Sequence, residues 1–246
     1  MGKIYFISDV HLGFFERTID KKREDLLLAC LNNIKSDCDR LIIVGDFFDY
    51  WFEWKYAIPR YFYRTLALLA DFRASNIKIH YLMGNHDFGH VNFFRDELGI
   101  EINRDTAEYE FFGKKFFIFH GDGLAYKDGP YRLLKKILRN RFNLKLYTHL
   151  LHPDCAIKFA SNTSNKSRKY TSSQKKYGEK DGMKDFAEAK IAEGFDYVIM
   201  GHRHKLETVQ FAGGTYINLG DWFKTPGLWA FDENGFEFLQ AEKLAE

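Results

Sequence analysis

Five short clusters of metal-ligand residues, each closing an apolar run, restrict what this chain can fold into. They are Asp9-Val10-His11, Gly45-Asp46-Phe47-Phe48-Asp49, Gly84-Asn85-His86-Asp87, His120-Gly121-Asp122 and Gly201-His202-Arg203-His204. The runs ahead of them (Ile4–Ile7, Leu41–Val44, Ile79–Met83, Phe116–Phe119 and Tyr197–Met200) are short and rich in β-branched and aromatic residues, the signature of buried strands. Five strand ends therefore deliver Asp, Asn and His side chains to one rim of a sheet. That is the layout of a metal centre.

The segments between the runs give an alternating order. Strand Lys3–Ser8 leads to a helix over Lys21–Lys35, where Leu26, Leu27, Ala29, Cys30, Leu31 and Ile34 form a broad apolar face. Strand Leu41–Val44 precedes an aromatic loop, and Pro59 opens a helix through Ala74. Strand Ile77–Met83 and a short helix over Val91–Leu98 follow. Tyr109–Phe112 and Lys115–Phe119 read as a hairpin turning at Gly113. Residues 130–195 read as mostly helical, with a polar break at Ser161–Tyr177. The chain then returns to strands over Tyr197–Met200, Glu207–Phe211, Thr215–Leu219, Leu228–Phe231 and Phe236–Gln240. This order predicts one α/β domain over residues 1–246, two sheets face to face with helices outside, and a helical cap inserted over about 130–180.

Charge adds a second constraint. The chain carries a net charge of +2, yet residues 131–180 hold 13 of its 36 Lys and Arg and only two of its 34 Asp and Glu. A sustained basic stretch predicts an anionic partner: a membrane surface, a nucleic acid or a phosphorylated substrate. Three cysteines without metal-type spacing suggest a reducing compartment. A strand entered by Lys3 leaves no room for a secretory signal, and no apolar stretch is long enough to span a bilayer. A cytoplasmic protein is expected.

Asp, Asn and His side chains offer oxygen and neutral nitrogen donors, suited to Mn, Fe, Co, Zn or Ni. Two adjacent divalent ions need a bridging ligand, and Asp46, at the end of the second strand, is the natural one. Two ions about 3.5–4 Å apart can clamp a phosphoryl group and generate hydroxide at neutral pH. Phosphoester or phosphoanhydride hydrolysis is the reaction class. Singly, each cluster is a weak or moderate signal; all five in this order are a strong one.

The blocks D-x-H, G-D-x-x-D, G-N-H-D, H-G-D and G-H-x-H resemble the calcineurin-like metallophosphoesterase superfamily, and the resemblance runs from Asp9 to Asp221. It implies a four-layer αββα sandwich and two divalent metal ions, with Mn2+ expected. Carried over by position, one ion would take Asp9, His11, Asp46 and His204, and the other Asp46, Asn85, His120 and His202. His86 would be the catalytic, non-ligand histidine, with Asp49 or Asp87 holding its tautomer.

Three features narrow the resemblance: the aromatic run Asp46–Trp54, the flanking segments His120–Leu124 and Asn218–Trp222, and the basic helical insertion. Together they look like the UDP-2,3-diacylglucosamine pyrophosphohydrolase family of lipid A synthesis, in its Bacteroidetes-type branch. That resemblance implies a nucleotide-linked glycolipid cut to UMP and 2,3-diacylglucosamine 1-phosphate at the cytoplasmic face of the inner membrane, with peripheral attachment and no nucleic-acid partner. Arg132, Lys135, Lys136 and Arg139, beside Leu133, Leu134, Ile137 and Leu138, are expected to form an interfacial helix whose cations meet lipid. Asp122, Lys166, Arg168 and Lys169 are candidate substrate contacts. Five aromatics within Phe48–Trp54 exceed what one core facet usually takes, so an exposed or ligand-lining role is expected for them. One departure stands out: the best-known enzymes of this group have Arg after the Asn, reading G-N-R-D, where this chain has His86, as the wider superfamily does.

Two rival readings remain. A nuclease or cyclic-nucleotide phosphodiesterase would use the basic stretch for nucleic acid, but the chain lacks a separate DNA-capping domain. A metal-free scaffold of the same fold would have no need to retain every ligand.

Overall fold

The computed structural model describes residues 2–124, 129–158 and 182–246. Lys166, Arg168, Lys169 and the polar break at 161–177 lie outside the described residues. Eleven strands form two sheets. The first contains β1 (Lys3–Ile7), β2 (Cys38–Val44), β3 (Lys78–Leu82) and β4 (Glu101–Asn103), mutually parallel, with β10 (Gly227–Asp232) and β11 (Gly235–Gln240) continuing antiparallel from β1 in the order β11-β10-β1-β2-β3-β4. The second has the order β5-β6-β7-β9-β8: β5 (Thr106–Phe111), β6 (Lys114–Phe119), β7 (Tyr197–Met200), β9 (Gly214–Leu219) and β8 (Leu206–Phe211), with β6, β7 and β9 parallel.

Period-two alternation sorts the strand residues into layers, because successive side chains point to opposite faces. Ile4, Phe6, Ile42 and Val44 meet Phe116, Ile118, Ile199 and Ile217 between the sheets. Tyr5, Ile7, Leu41 and Ile43 face away, onto α1 (Arg17–Ile34), α2 (Tyr63–Ala74) and α3 (Phe93–Leu98). On the far side Phe117, Val198, Met200 and Tyr216 pack on α7 (Gly182–Ala192). The layers are therefore helix, sheet, sheet, helix, as expected. Phe6 and Phe116 are fully buried and stacked; cutting either to Ala would cost about 3–5 kcal/mol.

The hairpin turns on Phe112 and Gly113, both at positive φ as a two-residue type I′ turn requires. The observed elements depart from the sequence reading in several places. Helix α1 begins at Arg17, because its polar first turn is anchored: Gly13 N and Arg23 both donate to the buried Asp20 carboxylate. Strand β4 has only three residues and no sequence signal of its own. The aromatic run is core: Phe47, Phe48 and Trp51 are fully buried, and Tyr50 and Phe52 nearly so. The core here is large enough to absorb them because Phe48 and Trp51 pack against Phe62 of the 3-10 turn Arg60–Phe62 and Phe94 of α3. Phe52 instead meets Tyr147 of α5 (Arg141–Leu150), and Trp54 Nε1 donates to Leu151 O.

The segment expected as a cap carries α4 (Gly129–Leu138), α5 and a further helix, α6, over 153–158. Helix α4 is oriented opposite to expectation. Lys135 and Arg139 turn inward onto Asp122 and Asp105, whereas Leu133, Leu134, Ile137 and Leu138 are 63%, 50% or a little less exposed. The buried Asp122 carboxylate and the exposed Asp105 at the rim draw the cations in, leaving the apolar side to face out. No helix among the described residues is long and apolar enough to cross a membrane, and Cys30, Cys38 and Cys155 are free thiols.

Candidate metal centre

All five clusters sit immediately beyond the C-terminal ends of the parallel strands β1, β2, β3, β6 and β7. Each chain segment must turn sharply there to aim a side chain back at the rim. Asp9, His11, Asp46, His202 and His204 all adopt left-handed backbone, with φ of 53°, 50°, 52°, 66° and 53°. Asp and His tolerate that region better than most residues, yet each such residue still costs on the order of 1–3 kcal/mol and persists only where the surroundings enforce it. Strain of this kind gathered at one rim marks a functional site.

Asp46 stands at the centre. Its Oδ2 lies 3.6 Å from His11 Nε2 and 3.3 Å from His120 Nε2, while its Oδ1 accepts the His86 backbone N–H at 2.8 Å. On one side of Oδ2, Asp9 Oδ1 is 3.7 Å from His11 Nε2 and 3.2 Å from His204 Nε2, and the two imidazole nitrogens are 3.3 Å apart. On the other, Asn85 Oδ1 is 3.2 Å from His120 Nε2, and Asp46, His120 and His202 gather as one set of potential donors. Donors bound about 2.1 Å from a common ion lie about 3.0–3.4 Å from one another, so both groups have close to ligating spacing. Asp9 Oδ1 is fully buried without a hydrogen-bond donor, which is costly unless a cation completes it. The residues fit two divalent ions sharing Asp46.

Supporting groups fix the ligands. His11 Nδ1 faces Asp49 Oδ1 at 3.3 Å, His120 Nδ1 donates to Val44 O at 2.8 Å, and His204 Nδ1 lies 3.9 Å from Asp221 Oδ2. His11 and His120 thus direct Nδ1 to an outer acceptor and turn Nε2 inward, the arrangement that sets a ligand's tautomer, while His204 Nδ1 only approaches Asp221. Ser8 Oγ and the His202 N–H both donate to Asp9 Oδ2, and Phe223 stacks on the His11 ring at 5.4 Å. Ser8, Val44 and Phe223 were not candidates from sequence. A backbone carbonyl and a stacking ring leave no motif, although Phe223 directly follows the flanking segment that ends at Trp222.

Electrostatics follow from this crowding. Burial pushes the Asp9 and Asp46 carboxyls upward, but the surrounding imidazoles outweigh it and hold both below the usual carboxylate range. Burial alone would depress His120, but the Asp46 charge overcomes it and lifts that imidazole to about 10. His202, equally buried and next to charged His120, falls to about 4. A divalent ion held by His120 would compete there with a proton.

The remaining candidates divide. His86, partly exposed at the rim, has Nδ1 3.6 Å from Asp49 Oδ1 and its ring edge-on to His11. Asp87 does not serve His86. Its oxygens take the N–H groups of Gly84, Asp46 and Phe47 and the Tyr81 hydroxyl, which makes it a brace between the second and third ligand loops. Asp122 is buried, and its Oδ2 is taken by Tyr131, Lys135 and Arg139 of the α4 region.

A family model described as calcineurin-like phosphoesterase matches residues 2–206. A Porphyromonas gingivalis protein named UDP-2,3-diacylglucosamine hydrolase is 31% identical, with 91% of each chain covered. A Haemophilus ducreyi protein of the same name is 29% identical over 97% of this chain and all of its own. Among solved structures, an archaeal phosphodiesterase superposes with a TM-score of 0.50 over 97% of this chain and 99% of its own, at 16% identity, which speaks for the fold alone.

Proposed function

The chain belongs to the calcineurin-like phosphoesterases, and from that premise we propose that it cleaves the pyrophosphate of UDP-2,3-diacylglucosamine to UMP and 2,3-diacylglucosamine 1-phosphate. As a member it is a metal-dependent phosphoesterase, and its curated relatives are named as hydrolases of that glycolipid. Asp9, His11, Asp46 and His204 would hold one divalent ion, and Asp46, Asn85, His120 and His202 the other, with Mn2+ the expected metal. When bound, such a pair supplies Lewis acidity to a phosphoryl group and lowers the pKa of water.

The protein's own groups do the rest. Asp46 fixes the shared position because its Oδ1 is held by the His86 N–H. His86, with Nδ1 turned to Asp49, presents Nε2 to donate a proton to the departing oxygen or to stabilise charge there. It would take the place of the Arg found in relatives of the resembled family.

The observation that carries the lipid assignment is the two-sided character of α4. Its inner face is bonded to Asp122, two residues beyond His120, while its outer face offers Leu133 and Ile137 to solvent; Phe142 and Leu150 of the following helix α5 are also exposed, at 72% and 68%. An apolar surface so close to a phosphoesterase centre suits acyl chains and the surface of a bilayer. Peripheral attachment to the inner membrane is part of this reading, now through apolar side chains rather than inward-turned cations.

The test is to incubate the Mn2+-loaded protein with UDP-2,3-diacylglucosamine in detergent and follow UMP, with UDP-N-acetylglucosamine and a nuclease substrate as controls. Acyl-dependent UMP release supports the assignment. Hydrolysis of a generic phosphodiester without turnover of the lipid favours the second reading, a phosphoesterase for another nucleotide, to which His86 in place of Arg points.

A further inference from the structure

We propose that Arg139 is a positioning residue for the metal centre: its guanidinium locks helix α4 onto the two loops that carry Asn85 and His120. The Arg139 side chain is 12% exposed and bonds to four neighbouring residues. Nη2 donates to Gly84 O at 2.8 Å and to Asp122 Oδ2 at 3.0 Å; Nη1 donates to Arg104 O at 3.0 Å and faces Asp105 Oδ1 at 3.4 Å. Gly84 immediately precedes Asn85, and Asp122 lies two residues beyond His120. The first loop follows β3 of the six-stranded sheet and the second follows β6 of the five-stranded sheet. A single planar fork thus spans both sheets beside the ligands whose donor atoms, Asn85 Oδ1 and His120 Nε2, stand 3.2 Å apart.

The Gly84 peptide is held from both sides, its N–H by Asp87 and its carbonyl by Arg139. Asp122 is fixed by three donors on one oxygen, from Tyr131, Lys135 and Arg139. Nothing comparable joins α4 to Asp9, His11 or His204 among the described residues. The fork therefore acts on one half of the centre. A lysine could keep the charge but not bond two acceptors in fixed directions. Partners that orient ligands in this way typically change metal affinity 10–100-fold when removed.

This inference rests on the two-ion reading above, so the test has one arm that needs no metal. Amide exchange is measured in metal-free wild type, Arg139→Gln, Arg139→Lys and Lys136→Gln, the last altering an exposed cation of the same helix; Mn2+ binding follows by calorimetry and by the spin-resonance signal of the coupled ion pair. In Arg139→Gln the amides of Gly84 and His86 are expected to exchange at least about 10-fold faster. One Mn2+ step should weaken about 10–100-fold and the other stay within about twofold, with loss of the coupled signal. Arg139→Lys should remain deficient in both readouts, and Lys136→Gln should match wild type. Unchanged exchange and affinities in Arg139→Gln overturn the proposal, as does equal weakening of both steps with exchange raised throughout the protein. Should Arg139→Gln not fold, Arg139→Lys decides by the same criteria. A wild type that binds no Mn2+ overturns the two-ion reading, while the exchange data still judge the fork.

Discussion

Gly84→Ala tests how tightly the ligand loops are packed. A methyl group at position 84 would overlap the Oδ1 and backbone N of Asp46 and stand 2.7 Å from its Cγ. Ordinary carbon contacts lie at about 3.5–4.0 Å, so the carboxylate or its loop must retreat by about 1 Å. The carboxylate cannot swing away freely, because its Oδ1 is held by the His86 N–H and its Oδ2 faces both His11 and His120. Overpacking of this kind costs about 1–3 kcal/mol of stability. A misplacement of about 1 Å at a reacting centre costs on the order of 10²-fold in rate. Gly129→Ala is the control, since a methyl there meets nothing within 4 Å. Urea unfolding, Mn2+ titration and kcat/KM are measured for both. The expected result is a Gly84→Ala protein that is folded, less stable and binds Mn2+ poorly, with activity down at least about 10²-fold. A Gly84→Ala protein with wild-type Mn2+ stoichiometry and rate would refute the close approach of the two loops and, with it, the central placement of Asp46.

Three further outcomes are expected. His86→Ala should keep both ions by metal analysis and slow turnover about 10²–10⁴-fold; loss of metal would make His86 a ligand instead. His90, buried among Trp51, Tyr81 and Phe94, is depressed to about 3 by burial and by the Arg104 charge. Its neutral form is the folded form, so its contribution is complete above the unfolded value of about 6.5 and is lost as pH falls toward 3; by pH 5 the loss is about 2 kcal/mol. His90→Phe should therefore flatten the stability profile between pH 7 and 5 in urea titrations, and an identical slope would contradict this assignment. Replacing Leu133, Ile137 and Phe142 together by Ser should weaken binding to anionic vesicles at least about 10-fold and leave hydrolysis of a soluble nucleotide ester near wild type; unchanged vesicle binding would remove α4 and α5 from the membrane reading.

The layered α/β architecture and the gathering of Asp9, His11, Asp46, Asn85, His120, His202 and His204 at one rim were legible in the chain. Both depend on local rules: period-two alternation makes buried strands recognisable, and a ligand placed just after a parallel strand is carried to the same edge as its counterparts. What could not be read was decided by contacts distant in sequence. The aromatic run became core because Phe62 and Phe94 close over it, and no local pattern reveals how large a facet two later helices will cover. Asp87 looked like a partner for the adjacent His86, but the Asp46 loop and Tyr81 claim its oxygens. Helix α4 has the composition of a basic interfacial helix. Which side faces out was settled by Asp122 and Asp105, because a cation half withdrawn from water is stable only against a carboxylate. Composition and spacing fixed which residues would meet at the rim, and tertiary pairing of buried charges decided what the surrounding helices would show to solvent.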